Sequence, residues 1–194
     1  VLLDSKVALT GVYDAGNAWT TWTLPYTYSG TIQVIMGSAF TAQVGSPVIG
    51  LTRPSGTTVR ASGDYSAGVC HIGKPYTKRY GFSEFFMRDG NGVSITTGRL
   101  QLRHLGINFT NSGYFRVTVT PKARDTSTYT MGSRILGDIG FTVGTVPLQS
   151  GTFRVPVNTN SVGVVIEVVN DSHLPSIIQS AEWTGEFVLK SRRF

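Results

Sequence analysis

Hydrophobic and polar residues alternate with period two along most of the chain, the pattern of β-strands that have one buried face. The clearest case runs from Gly98 to Phe109, passes through the turn residues 110–113, and resumes at Tyr114. We expect these two segments to form a long antiparallel hairpin with one core face and one basic, hydrated face. The core face stays inward only if the phase changes near His104, so a bulge is predicted there.

Shorter alternating segments separated by turn residues predict an all-β fold with little or no helix. Further strands are predicted at 7–12, 20–24, 31–36, 48–52, 59–61, 69–72, 82–87, 141–143, 153–157, 162–169 and 177–189. Pro156 places its strand at a sheet edge or a bulge. Residues 162–169 are apolar on both faces except at Glu167, which predicts a central strand covered on both sides. Residues 122–133 lack periodicity and are predicted to be a long loop.

The chain shows neither an internal repeat nor a linker-like composition. We therefore expect residues 1–194 to form a single all-β region, built as an antiparallel β-sandwich-like unit. Its length is sufficient for a well-packed core without metals or disulfides.

Charge is sparse and scattered. Charged residues make up 14% of the chain, Gly occurs 23 times, and the formal net charge is +6. A basic excess permits contact with a polyanion, but the two small clusters are predicted to be solvated strand ends or loops; they are Lys74, Lys78, Arg79 and Lys190, Arg192, Arg193. No apolar run is long enough to span a bilayer.

Catalytic patterns are weak. Cys70 is the one cysteine, so it cannot form an intrachain disulfide or a thiol metal site, and we expect a buried small hydrophobe. His71 follows it on a strand and points to the opposite face. Asp171-Ser172-His173 is predicted to be a turn, and Glu182 and Glu186 would stand roughly 13 Å apart on a strand. We predict no catalytic, metal or cofactor site and no enzyme activity.

Aromatic residues near the start of the chain offer a different function. Trp19, Trp22, Tyr26, Tyr28 and Tyr65 could form a sugar-stacking platform, as in carbohydrate-binding modules. Trp19 and Trp22 have opposite strand parity, however, so they should face different sides. Core packing is therefore the favoured role for at least one of them.

Several segments together resemble a known family. They are residues 69–83 (VCHIGKPYTKRYGFS), 98–103 (GRLQLR) and 112–117 (SGYFRV), the early pieces Tyr13-Asp14 and 23–26 (TLPY), and the ending from Leu174-Pro175 through Glu182-Trp183 to Arg192-Arg193-Phe194. In this order they resemble the tail tubular protein B, or nozzle protein, family of short-tailed podoviruses of the autographivirus type.

The resemblance implies a structural virion protein of the phage tail, made in the bacterial host cytoplasm. Family members are longer, and the chain begins at Val1 without methionine, so we expect the C-terminal portion of a longer nozzle protein. The family further implies a homo-oligomer of six copies forming the DNA-ejection channel, with the tail adaptor protein and tail fibres as partners. Genomic DNA would pass through transiently, without sequence-specific binding.

Three sets of residues are predicted to serve that assembly. The basic face of Arg99, Arg103 and Arg116 should make subunit contacts or face the DNA path, and contacts are favoured because Arg is enriched at interfaces. A partner-binding loop is predicted at Lys74, Pro75, Tyr76, Arg79 and Tyr80. The family-like C-terminal motif comprises Glu182, Trp183, Arg192 and Arg193.

Two alternatives remain at this point. A carbohydrate- or receptor-binding β-sandwich module of the tail would expose aromatic side chains together on one face. A cell-wall hydrolase would need two carboxylates facing each other in a cleft.

Overall fold

The computed structural model describes residues 1–41, 43–133 and 146–189, and in these residues the regular secondary structure consists of β-strands. The all-β prediction is therefore confirmed, and the described part of the chain holds no helix that could span a membrane. The strands are β1 (Asp4–Thr10), β2 (Val12–Asp14), β3 (Trp19–Thr23), β4 (Gln33–Met36), β5 (Thr52–Ser55), β6 (Thr58–Ser62), β7 (Val69–Lys74), β8 (Lys78–Gly81), β9 (Met87–Arg88), β10 (Ser94–Ile95), β11 (Gly98–Ser112), β12 (Tyr114–Pro121), β13 (Ser127–Gly132), β14 (Gln149–Asn160), β15 (Val164–Asn170) and β16 (Ile177–Leu189).

The described residues group into two compact units. Those of unit 1 fall within Val1–Tyr76, Ser133–Pro147 and Asp171–Pro175, and those of unit 2 within Thr77–Gly132, Leu148–Asn170 and Ser176–Phe194. The prediction that all 194 residues form a single region of a longer protein stays a prediction.

Unit 1 combines a three-stranded sheet, β1-β7-β4, with a four-stranded sheet, β2-β3-β6-β5. Inward residues of both sheets share one core, in which Trp22, Val34, Val59 and Ile72 are fully buried. Burying such side chains contributes roughly 1.5–3 kcal/mol each. Cys70 belongs to this core, as expected for a small hydrophobe.

Unit 2 repeats this architecture with a three-stranded sheet, β14-β11-β16, and a four-stranded sheet, β13-β12-β15-β8. The short ribbon of β9 and β10 lies outside both sheets. Inward residues of β11, β12, β14 and β15 form one hydrophobic cluster, so the two sheets enclose a common core in the manner of a β-sandwich.

The predicted pairing of the long hairpin is wrong. β11 pairs with β14 and β16, whereas β12 pairs with β13 and β15, so the chain changes sheets at Gly113. Phe109 and Phe115 then meet within the core, with ring centroids 5.4 Å apart. The alternation correctly predicted which face of each strand is buried, but it carries no information about the neighbouring strand.

The bulge predicted near His104 is confirmed. Between Leu102 and His104 the register of β11 shifts against both neighbours. In the pairing of β11 with β16, the extra residue lies on β11. In the pairing of β11 with β14, it lies on β14, where Asn158 has a φ of 45°. The shift lets Leu102 and Leu105 both stay buried although they are three residues apart.

Among the other predicted elements, some are confirmed by the structure and others are wrong. Pro156 lies in an edge strand beside the bulge, as predicted. Residues 122–133 are not one long loop, because β13 forms there as a Thr-rich edge strand. β15 has two neighbours, but Val165 is 56% exposed, so its outer face is not covered. Strands predicted at 48–52 and 82–87 are wrong over most of their length, and the one at 141–143 lies outside the described residues.

Residues 171–175 connect two strands of unit 2 and themselves belong to unit 1. His173 Nε2 donates a hydrogen bond to the Gly45 carbonyl at 2.8 Å, and its own carbonyl accepts from the Leu2 amide at 2.8 Å. Desolvation by burial lowers the pKa of the His173 imidazole. The Asp171-Ser172-His173 run is therefore a packed connection, which agrees with its reading as a turn.

We predict that Phe115→Ala destabilises unit 2 by about 3–5 kcal/mol, because the fully buried ring contacts both Phe109 and Phe153. Urea denaturation followed by circular dichroism measures the change. Val165→Ala, at an exposed position of β15, is the control and should shift stability by less than about 0.5 kcal/mol. Equal effects of the two substitutions would contradict the assigned core.

Unit 1 should lose stability on mild acidification. The pKa of His173 is lower in the folded state than the unfolded value of about 6.5. Well above that value the imidazole is neutral in both states, and its protonation takes nothing from the free energy of unfolding. As pH falls toward the folded pKa, the unfolded state takes up the proton first, so the free energy of unfolding decreases. His173→Gln keeps an N–H donor but cannot titrate, so it should flatten the loss of stability as pH falls below about 6.5. Denaturation at a series of pH values tests this, and an unchanged slope would rule it out. His71, whose pKa desolvation also lowers, accounts for a residual slope.

Candidate interaction surfaces

Chemistry-bearing side chains do not cluster in the part of the chain that the structure describes. No group of three or more His, Cys, Asp or Glu residues there could hold a metal ion. Burial raises the pKa of the Cys70 thiol to about 11, so the nucleophilic thiolate is scarce at neutral pH.

The three predicted arginines do not form one face. Arg99 and Arg103 lie on the outer side of the three-stranded sheet of unit 2, since the alternate β11 residues Leu100 and Leu102 are buried. Arg116 lies on β12, in the other sheet of the sandwich. The prediction of a shared basic face is wrong because it depended on the hairpin pairing of β11 with β12.

Arg103 is partly neutralised by its own sheet. Its Nη2 donates to Glu186 Oε1 on β16 at 3.0 Å. Both side chains are well exposed, at 43% and 64%, so the pair contributes at most about 1 kcal/mol. Its geometric effect is to direct the guanidinium toward the neighbouring strand.

Several other side chains of this outer face are joined by hydrogen bonds. Asn108 donates to Ser180 Oγ at 2.8 Å, and Thr152 donates to Asn108 Oδ1 at 2.5 Å, which links all three strands in one row. Arg154 contacts His104 Nδ1 at 3.1 Å. Short polar side chains therefore bond to one another across the three strands of this face.

The predicted partner-binding loop is divided by the fold. Lys74 ends β7 in unit 1, and Pro75 and Tyr76 lie in the connection that follows. Arg79 and Tyr80 belong instead to β8, an edge strand of unit 2. Arg79 lies 3.6 Å from Glu167 on the adjacent β15, so it contributes to its own sheet.

An aromatic ladder connects β8 with β16. Successive ring centroids lie 5.1 Å apart for Tyr80 and Phe82, 5.9 Å for Phe82 and Phe85, and 6.3 Å for Phe85 and Trp183. These distances fall within the favourable range for tilted and edge-on aromatic pairs. The ladder thus joins Tyr80 and Trp183, which the sequence placed in two separate sites.

Beside the ladder lies a groove of about 340 Å³ between the same two strands. Its walls combine apolar side chains with a few polar ones, namely Lys78, Tyr80, Phe82, Val168, Asn170, Ser176, Ile178, Gln179, Ser180 and Ala181. The volume is at the lower end of the range for ligand clefts, roughly 300–1,000 Å³.

The described half of the C-terminal motif lies on β16. Trp183 faces inward opposite Leu105 and packs against the core, whereas Glu182 is exposed opposite Gly106. Arg192 and Arg193, together with Lys190, lie outside the described residues.

The aromatic residues of unit 1 do not present a shared platform. Trp22 is fully buried beside Tyr65, with ring centroids 5.9 Å apart. The guanidinium of Arg60 lies over the Trp19 ring at 3.9 Å and covers that face. Arg53 similarly stacks over Tyr28. The geometry therefore gives no support to a sugar-stacking surface formed by the tryptophans.

Sequence reasoning missed the groove and the inner part of the ladder. The run from Phe82 to Phe86 holds three phenylalanines, and its pattern predicts a strand. Its aromatic density could have indicated a packing segment, but only the folded chain shows that Phe82 and Phe85 lie between β8 and β16.

Comparison with known proteins gives a consistent result. The family model for the Bacteriophage nozzle protein matches residues 1–194. The Tail tubular protein gp12 of Escherichia phage T7 is 30% identical over 137 residues, which cover 69% of this chain and 17% of that protein. The chain therefore spans less than a fifth of the length of this relative.

We predict that Phe82→Ala destabilises unit 2 by about 2 kcal/mol, because it removes a half-buried ring and both of its contacts in the ladder. The neighbouring Phe86→Ala, at an exposed position, is the matched control and should cost less than about 1 kcal/mol. Urea denaturation provides the comparison. A ladder without energetic importance would give two indistinguishable curves.

Proposed function

Because this chain belongs to the bacteriophage nozzle protein family and is thus a structural component of the virion tail, we propose that it forms part of the wall of the DNA-ejection channel. The match of the family model over residues 1–194 is the observation that carries this proposal. The two sandwich units, each with its own buried core, suit a structural role.

The proposed assembly is a ring of six identical copies that meets the tail adaptor protein and the tail fibres. Genomic DNA passes through it without sequence-specific contacts. Low charge density supports this, since each phosphate that a protein neutralises strengthens binding and slows release. The 30% sequence identity with the T7 tail tubular protein supports the assignment to the tail. The adaptor protein and the tail fibres are part of the proposal.

Within this function, Arg99 and Arg103 are proposed to make subunit contacts. Both lie on the outer face of the β14-β11-β16 sheet, and the pair with Glu186 orients Arg103 while leaving it 43% exposed. A pre-oriented, incompletely neutralised guanidinium can form further planar hydrogen bonds with a neighbour. Arg116 would serve a different contact, because it lies on the other sheet.

We predict that Arg103→Glu in the full-length nozzle protein weakens ring assembly, because it places an acidic group at the proposed contact. Size-exclusion chromatography with light scattering over a concentration series measures the ring fraction. Arg88→Glu, an equal charge reversal at another exposed position, is the control and should leave assembly intact.

A double variant separates the contact from the internal ion pair. Arg103→Glu with Glu186→Arg restores the pair within the sheet but reverses its orientation. If Arg103 contacts another subunit, the double variant stays defective. Recovery of rings in the double variant, or intact rings with Arg103→Glu alone, would refute the proposed contact.

A further inference from the structure

The four sheet edges of unit 2 differ in how they are protected. β8 and β13 are short, with 4 and 6 residues. β14 carries Pro156 and a bulge at Asn158, both of which oppose further pairing. β16 extends over 13 residues, contains neither Pro nor Lys, and carries its bulge at Gln179, near its start. It is the longest edge among the described strands of this unit.

β16 has a regular stretch available for pairing. From Ser180 to Thr184 its register with β11 runs without a shift, and the bulges lie at either end of this stretch. Since β11 occupies one side, alternate backbone N–H and C=O groups of the stretch point to the open side. Four of these five residues are exposed, so no described segment covers them.

The side chains of this stretch divide into two faces. Ala181 and Trp183 lie on the inward face, opposite Ile107 and Leu105, and Ala181 lines the groove. Glu182 lies on the outward face, is exposed, and forms no ion pair within the described residues. Glu186, by contrast, is paired with Arg103.

The groove extends the apolar inward face of β16 beyond the open edge of this strand. Ile178 and Ala181 of β16 form one wall, and Tyr80, Phe82 and Val168 contribute apolar surface from the four-stranded sheet. Ile178 and Tyr80 are 37% and 60% exposed, although both are large apolar residues. A strand added to β16 would place every second side chain over this surface and bury it.

We propose that the β16 edge accepts an extended segment of a partner polypeptide as a fourth strand of the β14-β11-β16 sheet. The segment alternates apolar residues, which enter the groove, with polar residues, and it carries lysine or arginine opposite Glu182. Main-chain hydrogen bonds supply affinity in this mode of recognition, and the alternate side chains supply specificity. The inference goes beyond the structural role in the tail, because a strand-accepting edge does not require ring formation.

The test uses the 194-residue chain and a capped nine-residue peptide, Thr-Val-Thr-Val-Lys-Val-Thr-Val-Thr, with a second peptide in which Glu replaces Lys. Binding is measured by fluorescence anisotropy. Wild type should bind the Lys peptide about fivefold more tightly than the Glu peptide, the upper range for a cross-strand charge pair. Glu182→Lys should reverse this order, and Asp125→Lys, before β13, should preserve it.

Two adjacent proline variants test whether the backbone edge itself is used. Of Ser180→Pro and Ala181→Pro, one removes an N–H that bonds to β11 and should destabilise the sheet, while the other removes an N–H on the open side. The variant that retains its melting temperature should lose peptide binding. Amide exchange followed by NMR should slow at alternate residues of 180–184 when the Lys peptide binds.

The proposal is overturned if neither peptide binds, if Glu182→Lys leaves the preference unchanged, or if the stable proline variant binds normally. Failure of these tests would leave the ring proposal standing, because assembly is measured separately through Arg103.

Discussion

Pairing on both sides of β11 is the constraint on which unit 2 depends. Its 15 residues have β14 on one edge and β16 on the other, so its backbone is fixed and one face is committed to the core. The bulge at Arg103 and His104 lets that face remain apolar along the whole strand. The crossing at Gly113 then brings β12 into the opposite sheet, where Phe115 meets Phe109. A change in any of these features would expose the core.

The β14-β11-β16 sheet has two open edges, which differ in how far they can pair with a further strand. On the β14 side, Pro156 and the bulge at Asn158 limit further pairing. On the β16 side the aromatic ladder from Tyr80 to Trp183 joins the two sheets beside an open groove, and the backbone edge stays accessible. Packing of the rings and exposure of the edge are compatible because side chains and backbone groups of a strand point in perpendicular directions.

The charge distribution fits a wall component better than a nucleic-acid binder. Arg79 and Arg103, which the sequence suggested for contacts with partners or DNA, both pair with a glutamate of an adjacent strand. Beside these pairs, Asn108, Ser180 and Thr152 form a row of hydroxyl and amide side chains across the outer face of the β14-β11-β16 sheet. Polar groups that are already bonded within the sheet can approach another subunit at a lower desolvation cost than unpaired charges can.

The sequence by itself determined the all-β class, the buried face of most strands, the bulge near His104 and the position of Pro156 at a sheet edge or a bulge. These follow from local rules: side-chain alternation, turn chemistry and the missing N–H of proline. Tertiary structure alone decided that β11 and β12 lie in different sheets, that Arg99 and Arg116 are separated, and that Tyr80 and Trp183 share one ladder. Strand partners depend on long-range packing, because period two specifies which way a side chain points and is the same for any neighbour.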